Sequence, residues 1–303
     1  MYKANLWIKL SILFTYALIF IGGFVRVTDS GLGCPDWPKC FDGWYPPLSI
    51  ADIPDDFTQY YDNYNCTDGE TCEQFDISKA WIEYLNRLFG AITGIVITIM
   101  LFHLFKLKSN YKIAFYCALG AFVLTGIEGL IGKFVVTSHL EGNIITIHLL
   151  LALIIVSLLI ISYSLINFKK QSIYKTEQVN IVKWIFVFMI VGIVLGTQVR
   201  ESIENFIPLA MMGSFKYIHS FLGLGTLMMT GVLWNKVQDN LQITTKREIK
   251  WLLNILVIQI GTGYFLVFGG LPSYAKLIHM WLASSGIGLI VYILIDTKLS
   301  VVE

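Results

Sequence analysis

The stretch IHLLLALIIVSLLIISYSLI at residues 147–166 decides the fold, because it holds no charged side chain over 20 residues. A helix needs roughly 20 apolar residues to cross the hydrocarbon core of a bilayer, which is about 30 Å thick. The rest of the chain has the same character. Of its 303 residues, 55% are hydrophobic and 14% are charged, whereas soluble domains contain about 25% charged residues. This composition excludes an ordinary soluble globular protein.

Seven further apolar runs of similar length accompany this stretch. The eight predicted transmembrane helices lie near residues 6–26, 81–105, 113–133, 143–167, 181–199, 214–234, 251–270 and 275–295. The predicted fold class is therefore an all-α polytopic membrane protein, and the even number of helices places both termini on one side. The net charge of +1 leaves no basic surplus to neutralise a phosphate backbone, so nucleic acid is not an expected partner.

The distribution of Lys and Arg predicts the orientation of the chain. Fourteen of the 22 cations lie at the N-terminal end, after the second, fourth and sixth helices, and in the tail. Cytoplasmic loops carry an excess of cations, so both termini are expected in the cytoplasm. The loop at residues 27–80 carries nine Asp and two Glu against Lys39 and Lys79. This long loop is expected outside.

The first apolar run is predicted to be a retained helix and not a cleaved secretory signal. It is long and ends in GGFVRVTDSG at residues 22–31, which contains no small-residue cleavage site. No amphipathic, Arg-rich leader precedes it, so mitochondrial import is not expected. We expect a multi-pass protein of a bacterial plasma membrane.

Four of the five cysteines lie in the outer loop and form two pairs of equal spacing. Cys34 and Cys40 occur in CPDWPKC, and Cys66 and Cys72 occur in CTDGETC. An oxidising exterior favours a disulfide within each pair. A zinc site is the alternative, although the loop contains no His. Cys117 lies within a helix and is interpreted as a small hydrophobic residue.

The two halves of the chain repeat each other. ITIHLLLAL in the fourth helix aligns with KLIHMWLAS in the eighth, and EYLNRLFG in the second with KYIHSFLG in the sixth. The matched pairs are His148 and His279, Glu128 and Gln259, Gly132 and Gly263, Asn86 and His219, and Arg26 and Arg200. Consistent registers in all four helices predict two four-helix bundles, at residues 1–170 and 171–303, related by a pseudo-twofold axis along the membrane normal.

The repeat places His148, His219, His279 and Asn86 at one depth. Each lies about five residues after its predicted helix start, which is roughly 8 Å below the outer face. A histidine within hydrocarbon normally faces the bundle interior and marks a site, although an interhelical hydrogen bond is the simpler explanation for any single one. Matched histidines favour a pair of ligands. Zinc would need further ligands, whereas haem iron needs only axial ones, so haem is the predicted ligand.

The halves differ at this predicted site. The second half offers His219 and His279, which suffice for a six-coordinate, electron-transferring haem. The first half offers only His148, because the amide of Asn86 cannot supply a comparable bond. An iron bound there would keep an open position or take a weak ligand, as reaction of a bound haem would require.

Charged residues near the predicted haem sites have two interpretations each. Arg26 and Arg200 are at the outer ends of the first and fifth helices, where they could pair with haem propionates or extend to the membrane interface. Glu83 lies one turn before Asn86 and could pair with Arg87 at i, i+4. Alternatively, it is a carboxylate at the rim of the pocket that moves protons or stabilises a cationic intermediate.

The motifs that contain these histidines, cysteines and charged residues resemble those of the haem A synthase family. Its members oxidise a methyl group of haem O to the formyl group of haem A for cytochrome oxidase. The similar stretches are GGFVRVTDSGLGCPDWPKC, WIEYLNRLFG, IEGLIGKFVV, ITIHLLLA, KYIHSFLG and KLIHMWLAS. They span nearly the whole chain. The family usually has Glu-Tyr-x-His-Arg in the second helix, and Asn86 stands at the His position here. This leaves His148 as the expected axial ligand of the substrate haem.

The resemblance implies specific roles for several residues. It implies an eight-helix fold, a haem b held by His219 and His279, and a haem O substrate in the first half, with Glu83 catalytic. It also implies that Cys34 and Cys40 are the functionally important pair. We further expect Asn86, Arg26 and Arg87 to bind the substrate and Arg200 to bind the haem b.

Two other classes of protein remain as alternatives. The first is a cytochrome b-like electron-transfer subunit, which would contain haem b alone. The second is a transporter with a parallel repeat, which would contain no haem. For the enzyme, two successive hydroxylations of the methyl group would give a gem-diol that loses water to an aldehyde. Expected partners are then a haem O synthase and oxidase assembly factors.

Overall fold

The computed structural model describes residues 1–49, 52–53, 76–168, 174–204, 207, 211–240 and 243–300. This part of the chain folds into eight α-helices and contains no strand. The helices are α1 Tyr2–Val27, α2 Ile77–Phe105, α3 Lys112–Thr137, α4 Gly142–Asn167, α5 Thr176–Glu204, α6 Phe215–Val237, α7 Lys246–Phe268 and α8 Ser273–Leu299. Each is long and apolar enough to cross a membrane, which confirms the predicted fold class.

Most helices extend beyond their apolar runs, because hydropathy detects only the part that lies in hydrocarbon. The clearest case is α2, which begins at Ile77 instead of the predicted residue 81. The side chain of Asp76 caps this end by accepting hydrogen bonds from the backbone N–H groups of Ser78 at 2.7 Å and Lys79 at 3.4 Å. A capping Asp supplies acceptors for the N–H groups that the first turn leaves unpaired. The extra turn carries α2 up to the outer loop.

Helix packing follows the order of the chain within each half. Neighbouring helices pack in sequence from α1 to α4, and α4 also packs on α1. The same arrangement holds from α5 to α8, and the halves meet where α8 packs on α1 and α4, and α5 on α4. One apolar cluster includes Ile97, Leu104 and Leu159, and a second includes Ile185 and Leu252. The pseudo-twofold axis and the domain division stay predictions.

The described part of the outer loop is held by one disulfide. Cys34 and Cys40 are bonded, both are fully buried, and they pack with Phe41 and Ala80 at the start of α2. The structure therefore contains the first of the two expected disulfides, which places this part of the loop against the membrane helices. The expected Cys66–Cys72 bond lies outside the described residues.

Candidate functional site

A large cavity lies among the described helices, and all eight of them contribute to its walls. Its volume is about 2410 Å³, whereas pockets for small ligands usually measure about 300–1,000 Å³. The site residues predicted from the sequence all line it: Arg26, Glu83, Asn86, Arg87, His148, Arg200, His219 and His279. The structure thus brings the predicted residues of both halves to one cavity.

The two histidines of the second half face each other across part of this cavity. The ring centres of His219 and His279 are 6.2 Å apart. A metal–imidazole bond is about 2.0–2.1 Å long, so two imidazoles on opposite sides of one metal ion have ring centres roughly 6 Å apart. The observed separation matches this arrangement.

Hydrogen bonds orient both of these rings. Nδ1 of His219 lies 2.8 Å from the carbonyl oxygen of Gly192, and Nδ1 of His279 lies 3.0 Å from the hydroxyl oxygen of Thr262. A carbonyl oxygen only accepts hydrogen bonds, so Nδ1 of His219 carries the proton. Its Nε2 is then the unprotonated nitrogen that can bind a metal. The residues present therefore fit a haem with two axial histidines.

Glycines of the preceding helix allow close approach of these side chains. Sequence reasoning identified two of them by the repeat. At Gly196 an added Cβ atom would lie 2.9 Å from Cε1 of His219, and at Gly263 it would lie 3.2 Å from Cε1 of His279. In the first half, a Cβ atom at Gly132 would lie 3.7 Å from Cε1 of His148, and one at Gly22 would lie 4.0 Å from Oδ1 of Asn86. The same contact recurs at all four matched positions, which supports the internal repeat.

The first half contains one imidazole and one amide at the matched positions. Nδ1 of His148 lies 3.2 Å from Oε1 of Glu128, which the sequence identified only as the match of Gln259 in the repeat. Oδ1 of Asn86 is buried and has no hydrogen-bond partner among the described residues. An unpaired amide oxygen in a cavity wall is costly to bury, so this oxygen is available to a ligand of the cavity.

Glu83 combines the two interpretations that the sequence left open. Its side chain is buried, forms an ion pair with Arg87, and lines the cavity. Its Oε2 also accepts a hydrogen bond of 2.8 Å from the backbone N–H of Cys34. The pair with Arg87 therefore exists, and Glu83 still faces the site.

Arg87 holds the disulfide-bonded part of the outer loop, which sequence reasoning missed. Its guanidinium donates hydrogen bonds to the backbone carbonyls of Asp36 at 2.7 Å, Lys39 at 2.9 Å and Cys34 at 3.0 Å. Backbone acceptors have no signature in the residue types of a loop. Only the Glu83–Arg87 spacing at i, i+4 hinted that these side chains act together.

Arg26 and Arg200 share one carboxylate, that of Glu204. Nε of Arg26 lies 3.1 Å from Oε1 of Glu204, and Nε of Arg200 lies 2.8 Å from the same oxygen. Nη1 of Arg26 is buried without a hydrogen-bond partner among the described residues. The structure thus brings the two arginines together at the junction of the halves, with donor capacity left for another anion.

Fold and site together define a polytopic membrane protein with facing histidines in an internal cavity. The model of the COX15-CtaA family, described as cytochrome oxidase assembly protein, matches residues 5–291. The chain therefore belongs to this family, which confirms the resemblance found in the sequence motifs.

Individual relatives agree with the family match. The chain is 26% identical to a Heme A synthase of Wolbachia sp. subsp. Brugia malayi over 90% of each chain. It is 24% identical to a Heme A synthase of Rickettsia africae, over 94% of this chain and 95% of that one. With a Heme A synthase of Orientia tsutsugamushi it shares 32% identity, over 50% of this chain and 44% of that protein, so this alignment spans less than half of the relative.

Proposed function

We propose that this membrane protein synthesises haem A by oxidising a methyl group of haem O to a formyl group, for use by cytochrome oxidase. In this proposal His219 and His279 hold a haem b in the second half, and His148 binds haem O in the first. Membership of the family and relatives named Heme A synthase support the activity. The single observation that carries the site assignment is the 6.2 Å separation of the His219 and His279 ring centres.

The haem b, when bound, supplies one-electron transfer to and from the reaction in the first half. The protein holds its two axial rings in place through the contacts of Nδ1 with Gly192 and Thr262. Such contacts fix the tautomer and orientation of a ligating histidine. Because His219 and His279 would both bind the haem b, the group held there would suit electron transfer.

The first half is built to bind its haem on one side only. His148 provides the axial nitrogen, and Asn86 presents an unpaired amide oxygen to the cavity. An amide oxygen binds a polar group of a ligand or a water molecule, but it does not match an imidazole as an iron ligand. This asymmetry leaves the Asn86 side of the substrate haem open to a water molecule or another small polar ligand.

Glu83 is the proposed proton-handling group. Its carboxylate lines the cavity and is held in position by Arg87 and the N–H of Cys34. If the electrons removed from the methyl group leave through the haem b, the oxidation releases protons, and a positioned carboxylate can accept them. Arg26 and Arg200 would bind the haem propionates, because guanidinium groups form strong charge-assisted hydrogen bonds with carboxylates. Both guanidinium groups already bind one carboxylate, that of Glu204.

The proposed function also requires a membrane location and partners that supply haem O and take up haem A. The proposed location is a bacterial plasma membrane, and positive charge at alternate links favours an orientation with both termini in the cytoplasm. Haem O reaches the cavity from a haem O synthase, and haem A leaves toward oxidase assembly factors. The acidic outer loop and its disulfide then lie on the oxidising side of the membrane.

The test is to identify the porphyrins that the protein binds. The protein is expressed with a source of haem O, purified in detergent, and its extracted haems are identified by mass. We expect haem b together with haem O or haem A. Haem b alone would support the electron-transfer subunit, and a colourless preparation from haem-replete cells would contradict both. His279→Ala serves as the control, because it removes one ligand of the haem b and leaves His148 in place.

A further inference from the structure

Glu128 of α3 stands behind the imidazole of His148, on the side away from the ring nitrogen that would bind iron. Its Oε1 lies 3.2 Å from Nδ1 of His148. The Glu128 side chain is only 13% exposed, and Oε2 is buried with no hydrogen-bond partner among the described residues. Nδ1 of His148 is also buried without a formed hydrogen bond to any described residue, so its 3.2 Å approach to Oε1 of Glu128 is a close contact of the kind that a bound iron and a small ring rotation would turn into a hydrogen bond. Among the described residues, His148 is therefore the polar partner that the Glu128 carboxyl group approaches.

The two histidines of the second half lack this arrangement. Nδ1 of His219 faces the carbonyl of Gly192, and Nδ1 of His279 faces the hydroxyl of Thr262. At the position that matches Glu128, α7 carries Gln259, whose buried Oε1 has no hydrogen-bond partner among the described residues. Two of the three rings thus have neutral partners, and only His148 has an acidic one.

We propose that Glu128 is a positioning residue that makes His148 a stronger electron donor than His219 or His279. The inference rests on the proposed function, because it assumes that His148 binds the iron of haem O through Nε2. A carboxylate that accepts the Nδ1 proton raises the basicity of the opposite ring nitrogen and fixes the ring. Stronger donation stabilises the ferric state over the ferrous state, so the first-half iron has a lower reduction potential than it would have without Glu128.

The two halves differ at the positions of Asn86 and Glu128, and a role for Glu128 in donation by His148 accounts for both differences. Asn86 removes one axial imidazole from the first half, and Glu128 strengthens donation from the imidazole that remains. A single ligand otherwise holds its metal less firmly than two, and an outer partner of this kind changes metal affinity by about 10–100-fold. The second half would hold its metal with two imidazoles and does not require stronger donation from either. It carries the amide of Gln259 at the position that matches Glu128.

The test compares Glu128→Gln with Gln259→Glu, which exchange the matched side chains between the halves. Both variants and the unmodified protein are purified with haem O and haem b bound. The iron–histidine stretching band of ferrous haem is recorded by resonance Raman spectroscopy. This band comes from iron with one axial histidine, so it reports the first half, whereas the low-spin optical spectrum reports the second.

We expect the band to move to lower frequency in Glu128→Gln while the low-spin spectrum is retained, which also shows that the variant folds. If ferric binding weakens about tenfold more than ferrous binding, the midpoint potential of the first-half haem rises by about 59 mV. Glu128→Asp, which keeps the carboxyl group, should return the band toward its original frequency. Gln259→Glu should leave the band unchanged and lower the potential of the low-spin haem.

The outcomes separate this inference from the proposed function. An iron–histidine band that is present in the unmodified protein and unmoved in Glu128→Gln overturns the role of Glu128 and leaves the proposed function intact. The same conclusion follows if Glu128→Asp behaves like Glu128→Gln. Absence of the band from the unmodified protein with haem O bound overturns the first-half site itself, and the inference with it.

Discussion

Gly196 of α5 and His219 of α6 are in such close contact that a methyl group on Gly196 would lie 2.9 Å from Cε1 of the imidazole ring. Real side chains do not approach a carbon atom so closely without displacing it. The glycine also lies one helical turn after Gly192, whose carbonyl oxygen is the partner of Nδ1 of the same ring. The position of the His219 ring therefore depends on two features of α5: the absence of a Cβ atom at Gly196 and the backbone carbonyl of Gly192.

Gly196→Ala is expected to reduce binding of the second-half haem. The added methyl group pushes the His219 ring away from the Gly192 carbonyl, and loss of such an outer contact lowers metal affinity by about 10–100-fold. Haem b per protein, measured as the pyridine haemochrome, checks the result. Gly261→Ala on α7 is the matched control, because a Cβ there meets no atom within 4 Å. Equal haem b content in both variants would contradict the prediction.

Asn86→His is expected to convert the first half into a site with two histidines. The new imidazole would face His148 as His219 faces His279, so haem O bound there becomes six-coordinate and low-spin. Optical and electron paramagnetic resonance spectra of the haem O-loaded protein report the change. A spectrum that stays high-spin would show that position 86 does not face the iron.

Glu83→Ala is expected to stop most haem A formation and also to weaken the fold. Removing the carboxylate leaves the Arg87 guanidinium partly unpaired, and breaking a buried ion pair costs about 3 kcal/mol. Glu83→Gln separates the two effects, because an amide still accepts the hydrogen bond from the N–H of Cys34 but cannot take up a proton. Haem A yield and the melting temperature are measured together. Normal haem A yield in Glu83→Gln would remove Glu83 from the chemistry.

Arg87→Lys is expected to loosen the disulfide-bonded loop. An ammonium group cannot reproduce the fork of donors that reaches the carbonyls of Cys34, Asp36 and Lys39, and each lost hydrogen bond costs roughly 1 kcal/mol. The measurement is the rate at which a thiol reductant opens the Cys34–Cys40 bond, which should rise. Lys108→Arg, on the opposite side of the membrane, is the control. A reduction rate equal to that of the unmodified protein would show that the loop is held by other contacts.

The sequence predicted the parts of this structure that depend on local pattern. Hydropathy located all eight helices, and the repeat placed His148, His219 and His279 at corresponding positions because matched registers preserve depth. Most predicted helices were shorter than the observed ones, since capping by residues such as Asp76 occurs outside the hydrocarbon that hydropathy detects.

The contacts that orient the site residues were beyond sequence reasoning for a physical reason. Glu204 binds Arg26 across 178 positions of the chain, and such a pairing is set by how α1 and α5 meet. The acceptors used by Arg87 are backbone carbonyls, which every residue possesses. The contact of Glu128 with His148 depends on the rotation of α3 against α4, which the repeat does not determine.

The fourfold anchoring of Arg87 has a consequence for how a porphyrin reaches the cavity. Arg87 bonds to three carbonyls of the outer loop and to Glu83, while its neighbour Asn86 forms part of the cavity wall. Arg87 thereby joins the cavity wall to the outer loop. A broad, flat molecule that passed between wall and loop at Arg87 would have to break the four polar contacts of this residue together. A lateral route between helices, from the lipid, avoids that cost.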